Sequence, residues 1–110
     1  MSLYHYAATL VRVLDGDTIE ADLHLGFEVT LRRKFRLLGI NAPEMKTPEG
    51  EIAKQALIDK LAGMEIEIFS HKDRTEKYGR YLATLWAIMP DGSRLDINQF
   101  MIVAGFAKPY

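Results

Sequence analysis

Residues 6–40, YAATLVRVLDGDTIEADLHLGFEVTLRRKFRLLGI, decide the architecture. The stretch is rich in β-branched residues, alternates apolar with polar positions, and is interrupted only at DGD and LGFE. It predicts three strands, near residues 6–14, 17–25 and 28–40, joined by tight turns. Asp15-Gly16 is a short hairpin signal, because glycine takes a positive φ at no steric cost. Within the third strand, Arg36 alternates with Leu38 and Ile40, while Leu37 and Gly39 share the other face. A cation set among core residues needs an anionic partner, either a carboxylate of the chain or a phosphate brought by a ligand.

Beyond residue 46 the period changes. TPEGEIAKQALIDKLAG, residues 47–63, offers Thr47 as N-cap, Pro48 at the first helical position and acids in the first turn. Ile52, Ala53, Ala56, Leu57 and Leu61 form one apolar stripe, and Gly63 suits the helix stop. MEIEIFS, residues 64–70, alternates again, with Met64, Ile66 and Ile68 inward. RYLATLWAIM, residues 80–89, is a further strand, in which Trp86 is expected in the core. PDG turns the chain, and LDINQFMIVAG, residues 95–105, reads as a short helix capped by Asp96 and ended by Gly105. Three strands, a helix, two strands and a helix predict a mainly β chain with two to three helices (α+β). The order fits a five-stranded barrel of the OB type. A split α+β sheet is the competing topology.

At 110 residues and 48% hydrophobic composition, the chain is expected to form one domain, 1–110, with a single core. No apolar run approaches the roughly 20 residues of a membrane span, so no membrane partner is expected. The opening MSLYHYAATL lacks the basic and apolar regions of a signal peptide, which leaves a cytosolic chain or one already processed. There is no cysteine, hence no disulfide framework and no thiolate metal site. Net charge is −1, so no global basic field draws in nucleic acid. Basic residues do gather locally, in LRRKFR at 31–36 and HKDRTEKYGR at 71–80; taken alone, such clusters read as solvated faces. His5, His24 and His71 have no ligand spacing and read as surface or loop residues.

Polar groups concentrate at three strand ends: DGDT at 15–18, FRLLGINAPE at 35–44, and DRTEKYGRYLA at 73–83. Together with VLDGDTIEADL at 13–23 and the tail INQFMIVAGFAKPY at 97–110, these blocks resemble the staphylococcal nuclease family in order and spacing, from about residue 9 to 110. The resemblance implies an OB-fold barrel and a calcium-dependent phosphodiesterase on DNA and RNA that cleaves the 5′ P–O bond and leaves 3′-phosphate ends. It implies that Asp17 ligates the calcium ion, a cation that prefers oxygen donors, with Asn41 and the main-chain carbonyl of Ala42 beside it and Asp15 behind. Arg36 and Arg80 are then the catalytic phosphate grips, and Glu44 is the general base or the group that positions the attacking water. Lys77 and Tyr78 contact the nucleotide. A monomer is expected.

Two positions depart from the family pattern. Its best-studied members carry aspartate where this chain has Asn41, and threonine where it has Ala42. An amide oxygen still ligates calcium but removes one charge, so weaker metal binding is expected. The chain also ends at Tyr110, before the family's terminal helix, as a fold that stands without it or as a truncated one. A non-enzymatic OB module that binds oligonucleotides is the alternative reading, and a purely structural interaction domain a third. Neither accounts for Arg36, Glu44 and Arg80 together.

Overall fold

The computed structural model describes residues 5–75 and 79–110, with the backbone alone at 72–75. Strand β1 (His5–Asp15) pairs antiparallel with β2 (Thr18–Gly26), which pairs with β3 (Val29–Leu37). The loop between β2 and β3 holds Phe27 and Glu28 at φ 54° and 64°, the left-handed geometry that two-residue hairpins require. Phe27 is fully exposed at this tip.

The third strand stops earlier than its apolar run predicts. Gly39 sits at φ 83° and turns the chain, which resumes as the short strand β4 (Ile40–Asn41). Leu38 is consequently exposed while Ile40 is buried, and neither lies on a continuous face with Arg36. Phe35 and Leu37 face the core, and Arg36 points the other way, half-buried. The arginine therefore flanks the core and does not sit within it.

Helix α1 (Pro48–Leu61) begins as predicted: the Gly50 N–H donates to Thr47 Oγ1 at 3.0 Å, and Glu49 and Glu51 occupy the first turn. Its buried face is Gly50, Ala53, Leu57 and Leu61. Ile52, expected in that stripe, is exposed, while Gly50 is buried against the Glu44 and Met45 backbone.

Strand β5 (Glu65–Thr75) pairs with both β1 and β6 (Tyr81–Ile88). β3 and β6 then run parallel over Phe35–Leu37 and Tyr81–Ala83, which closes a five-stranded barrel in the order β1, β2, β3, β6, β5. Beside it, β7 (Arg94–Asp96) extends the sheet from β6, helix α2 (Ile97–Val103) follows, and β8 (Lys108–Pro109) pairs with β4. This is the OB arrangement with two helices among the described residues, and not the split sheet. The core gathers Ile19, Phe35, Leu37, Ile68 and Leu85 inside the barrel, with Leu57 from α1 and Met101 from α2. Trp86 is half-buried on the outer face of β6, because Ala83, Leu85 and Ala87 take the inward positions.

One polar side chain locks the seam. Buried Asn98, on α2, accepts the Leu85 N–H at 3.0 Å and donates to the carbonyls of Leu38 (2.8 Å) and Ala83 (3.1 Å). It joins helix, strand β6 and the turn after β3 in a single amide. The histidines have strand positions and ordinary partners: His5 with Glu67, His24 with Thr9, His71 with Thr84.

Candidate active site

The turn between β1 and β2 is built around a glycine, for a reason other than its φ. Gly16 is absent from the positive-φ positions. A Cβ there would stand 2.7 Å from Ala53 Cβ and 2.8 Å from Ala42 Cβ, closer than packed carbons tolerate. Glycine lets helix α1, the 42–44 segment and the turn meet. This packing carries Asp17 to the foot of the loop after β4.

Asp17 is the centre of the polar cluster. Its Oδ2 accepts the Ala42 N–H at 2.8 Å and lies 3.5 Å from Arg36 Nη2, and its Oδ1 accepts the Thr18 hydroxyl at 3.0 Å. The Asp17 N–H donates to Asp15 Oδ1 at 3.1 Å. Burial works against the Asp17 charge, but hydrogen bonds from Asp15 and Ala42 and the Arg36 guanidinium outweigh it, so its pKa lies below the usual carboxylate value. Asp15 goes the other way. Burial first, then the hydrogen bond to Asp17 and the charge of Asp17, push its pKa up to about 6. The pair titrates unequally: Asp17 keeps its charge to lower pH than Asp15 does.

Arg36 is fixed from several sides. Its Nη1 donates to the carbonyls of Ile40 (3.0 Å) and Leu37 (3.3 Å), and its Nη2 donates to Asn41 Oδ1 at 3.2 Å. The Tyr110 ring lies under the guanidinium, 5.5 Å from its carbon to the ring centroid, and is itself pinned by a Tyr110 N–H bond to the Gly39 carbonyl. Arg80 reaches the same place across the barrel seam, its Nη1 donating to Thr18 Oγ1 at 3.2 Å. Thr18 is the register partner of Arg36, so both guanidiniums converge on the Asp17–Thr18 step.

Glu44 stands at the rim. Its carbonyl accepts both the N–H (3.0 Å) and the hydroxyl (2.7 Å) of Thr47, which fastens its backbone to the start of α1. Gly50 presses against that same carbonyl with no room for a Cβ. The Glu44 side chain is exposed and, among the described residues, makes no hydrogen bond or ion pair. Lys77 and Tyr78 lie outside the described residues.

The structure thus brings Asp15, Asp17, Arg36, Asn41, Ala42 and Arg80 into one network, with Glu44 at its open edge. The Ala42 contact is made through its N–H. Tyr110 and Asn98 were not singled out by sequence reading; both act through main-chain partners far away in the chain, which leave no local signature. Elsewhere the basic residues behave as a solvated face: Arg32 pairs with Asp22 at 2.8 Å and Arg12 with Glu20 at 2.9 Å.

The side-chain oxygens gathered here are the Asp17 carboxylate and the Asn41 amide oxygen, with Arg36 Nη2 between them. Such a set fits a hard cation of the calcium or magnesium class. It is sparse in charge, since no three acidic or histidine side chains gather among the described residues.

Residues 34–110 match the family described as staphylococcal nuclease homologue. The chain is 37% identical over 102 residues to an uncharacterized endonuclease of Escherichia coli, covering 92% of this chain and 59% of that protein. It is 32% identical over 109 residues to a micrococcal nuclease of Shigella flexneri, covering 96% of this chain and 59% of the relative. It also matches protein ParB of Escherichia coli, at 38% over 108 residues and 55% of that protein. The chain therefore spans between half and two thirds of the length of these curated relatives. With the barrel, the two converging arginines and the Asp17 turn in place, the matched segment settles the descent: the chain belongs to the staphylococcal nuclease homologue family.

Proposed function

We propose that the chain is a phosphodiesterase that cuts DNA or RNA internally and leaves 3′-phosphate ends, with calcium as its cofactor. The observation that carries the reading is the convergence of Arg36 and Arg80 on the Asp17–Thr18 step. Two planar guanidiniums aimed at one carboxylate turn offer forked donors of the kind that grip a phosphate.

The residues divide the work by position. Arg36, held by the Leu37 and Ile40 carbonyls, presents its remaining edge as a fixed donor to a phosphate oxygen. Arg80 adds a second cation from the opposite strand. Both gain strength as charge builds on phosphorus, and because Arg36 is already held in place it needs little reorganisation. Glu44, exposed at the rim, takes a proton from water approaching the phosphorus. Asp17 and the oxygens of Asn41 and Ala42 would hold the cation, which supplies charge neutralisation at the phosphate and a more acidic bound water.

Incubation of the protein with single-stranded and duplex DNA and with RNA, in calcium or in chelator, tests the reading. Calcium-dependent products sensitive to a 3′-phosphatase are expected. Tight binding of oligonucleotides with no cleavage in any divalent ion would instead favour an oligonucleotide-binding module.

A further inference from the structure

Strand β2 leaves β1 after Leu23, and β3 joins β6 only from Phe35, so residues 24–34 form an arm paired with itself alone. Leu25, Val29 and Leu31 on this arm are exposed, and Phe27 at its tip is fully so. Contiguous apolar side chains in solvent mark a surface that something covers. At the base of the arm the barrel opens into a cavity of about 140 Å³, lined by Leu23, Leu25, Leu31, Phe35 and Ser70, with the exposed Arg33 at its mouth.

Tip and mouth complement each other. An apolar cavity of about 150 Å³ accepts benzene, and Phe27 carries a ring of that size into solvent. Beside it, Glu28 is exposed and, among the described residues, makes no ion pair. At the mouth, Arg33 donates to the Arg32 carbonyl at 2.7 Å and, among the described residues, faces no carboxylate, whereas Arg32 is neutralised by Asp22. Inside, Ser70 is 3% exposed and its hydroxyl has no partner among the described residues; the negative face of an aromatic ring receives such a hydrogen. Hairpin tips this tight ordinarily take Asn, Asp or Gly where φ is positive. Here those two positions are Phe27 and Glu28. The arm thus carries a ring with an adjacent acid at one end, and a ring-sized hole with an adjacent cation at the other.

Phe27 and Arg33 are six residues apart, about 20 Å of extended chain, so the tip does not fill the mouth of its own copy. We propose that two copies of the chain pair through this arm about a two-fold axis, each inserting Phe27 into the other's barrel mouth and setting Glu28 against the other's Arg33. The contact is isologous, knob to hole and hole to knob, so it closes at two chains. The axis crosses midway between tip and mouth, at the level of Thr30, where Leu25, Val29 and Leu31 of each copy cover those of the other. One contact then buries every exposed large apolar side chain of the arm. Two such arms make an interface at the low end of the specific range, on the order of 1,200 Å² in total, and micromolar dissociation is expected. The chain is then a monomer, as its sequence suggests, only in dilute solution. Arg36 points to the opposite side of β3, so the Asp17 cluster stays open and the inference stands apart from the nuclease reading.

Sedimentation equilibrium of the wild-type protein, from about 1 µM to 1 mM, is the first measurement. The mass should rise from one chain to two and go no further. Phe27→Asn removes the ring and suits the left-handed tip, so it should fold as well as the wild type while pairing at least about tenfold more weakly. Glu28→Arg and Arg33→Glu each set like charges at both contacts and should weaken pairing by a similar factor. Mixing these two single variants restores opposite charges at both contacts at once, and the double variant does the same; each should regain wild-type affinity. A wild type that stays a single chain at the highest concentration overturns the proposal, as does growth beyond two chains. So does a Phe27→Asn protein that pairs like the wild type, or charge variants that mixing fails to rescue. A single-chain protein that binds phosphatidylglycerol vesicles through Phe27 also overturns it, and makes the arm a membrane contact. The wild-type and Phe27→Asn series decide the matter even where a charge variant misfolds.

Discussion

Arg36 Nη2 lies 3.5 Å from Asp17 Oδ2, longer than a direct charge-assisted hydrogen bond, while the same guanidinium donates to two main-chain carbonyls. The backbone, more than the carboxylate, sets its orientation, so it remains available to a second anion.

Substituting lysine tests this directly. Arg36→Lys and Arg80→Lys keep the charge but lose the planar fork, and each should lower the cleavage rate by two or more orders of magnitude, about 3 kcal/mol of transition-state stabilisation. Circular dichroism should show the fold retained. Near-normal turnover in both variants would remove them from the site.

Glu44→Gln separates chemistry from binding. The side chain is exposed and, among the described residues, makes no hydrogen bond or ion pair, so the variant should bind a nucleotide bisphosphate as the wild type does while cutting about a hundredfold more slowly. A parallel fall in affinity and rate would mark Glu44 as a ligand-binding residue instead.

Asn41→Asp adds a charge next to Asp17 and opposite Arg36 Nη2. Calcium titrations should show the variant needing less metal for half-maximal activity, with a higher rate at limiting metal. The same curve for both proteins would place residue 41 away from the ion.

Gly50→Ala has a diagnostic sign. In an exposed helix interior the change would stabilise by up to about 1 kcal/mol. Here the new Cβ collides with the Glu44 carbonyl, so unfolding in urea should show a loss of about 1–3 kcal/mol. Activity should fall as well, because relief of the clash moves the segment carrying Glu44.

Asp15 predicts the pH profile of the metal-free protein. Its folded pKa, about 6, lies above the unfolded value of 3.8. Its contribution to stability is therefore complete below pH ~4 and lost as pH rises through about 6, by ~1–2 kcal/mol once solvent screening of this half-buried group is allowed for. Asp17, with its lowered pKa, contributes in the opposite sense, its share being lost only as pH falls below the ordinary carboxylate range. Denaturation in chelator across pH 4–7 should show the decline, and Asp15→Asn should flatten it.

Much of the fold is legible in the sequence. The alternation in β1 to β3, the Thr47–Pro48 helix start and the DGDT and FRLLGINAPE blocks carry local signals that survive folding. What escaped was long-range. Gly16 is glycine because Ala42 and Ala53 arrive from elsewhere, not because the turn needs a positive φ. The break at Gly39 hid inside an apolar run, so Leu38 was placed on the wrong face. Ile52 lost its expected place to Gly50, since the helix sits too close to the Glu44 carbonyl for a larger residue. Asn98 and Tyr110 act on Leu38, Ala83 and Gly39, partners that only the closed barrel supplies.

The parallel pairing of β3 with β6 joins residues some 46 positions apart in the chain, Phe35 to Tyr81. Such non-local closure is slow, because the entropy of closing the loop is spent before its contacts form. Arg36 arrives on one side of that closure and Arg80 on the other, and Asn98 stitches them only when both are in place. A half-folded chain, with its first hairpin formed and its last strands unattached, has no assembled grip for a phosphate. Closing the β3–β6 seam is thus what brings the two arginines together.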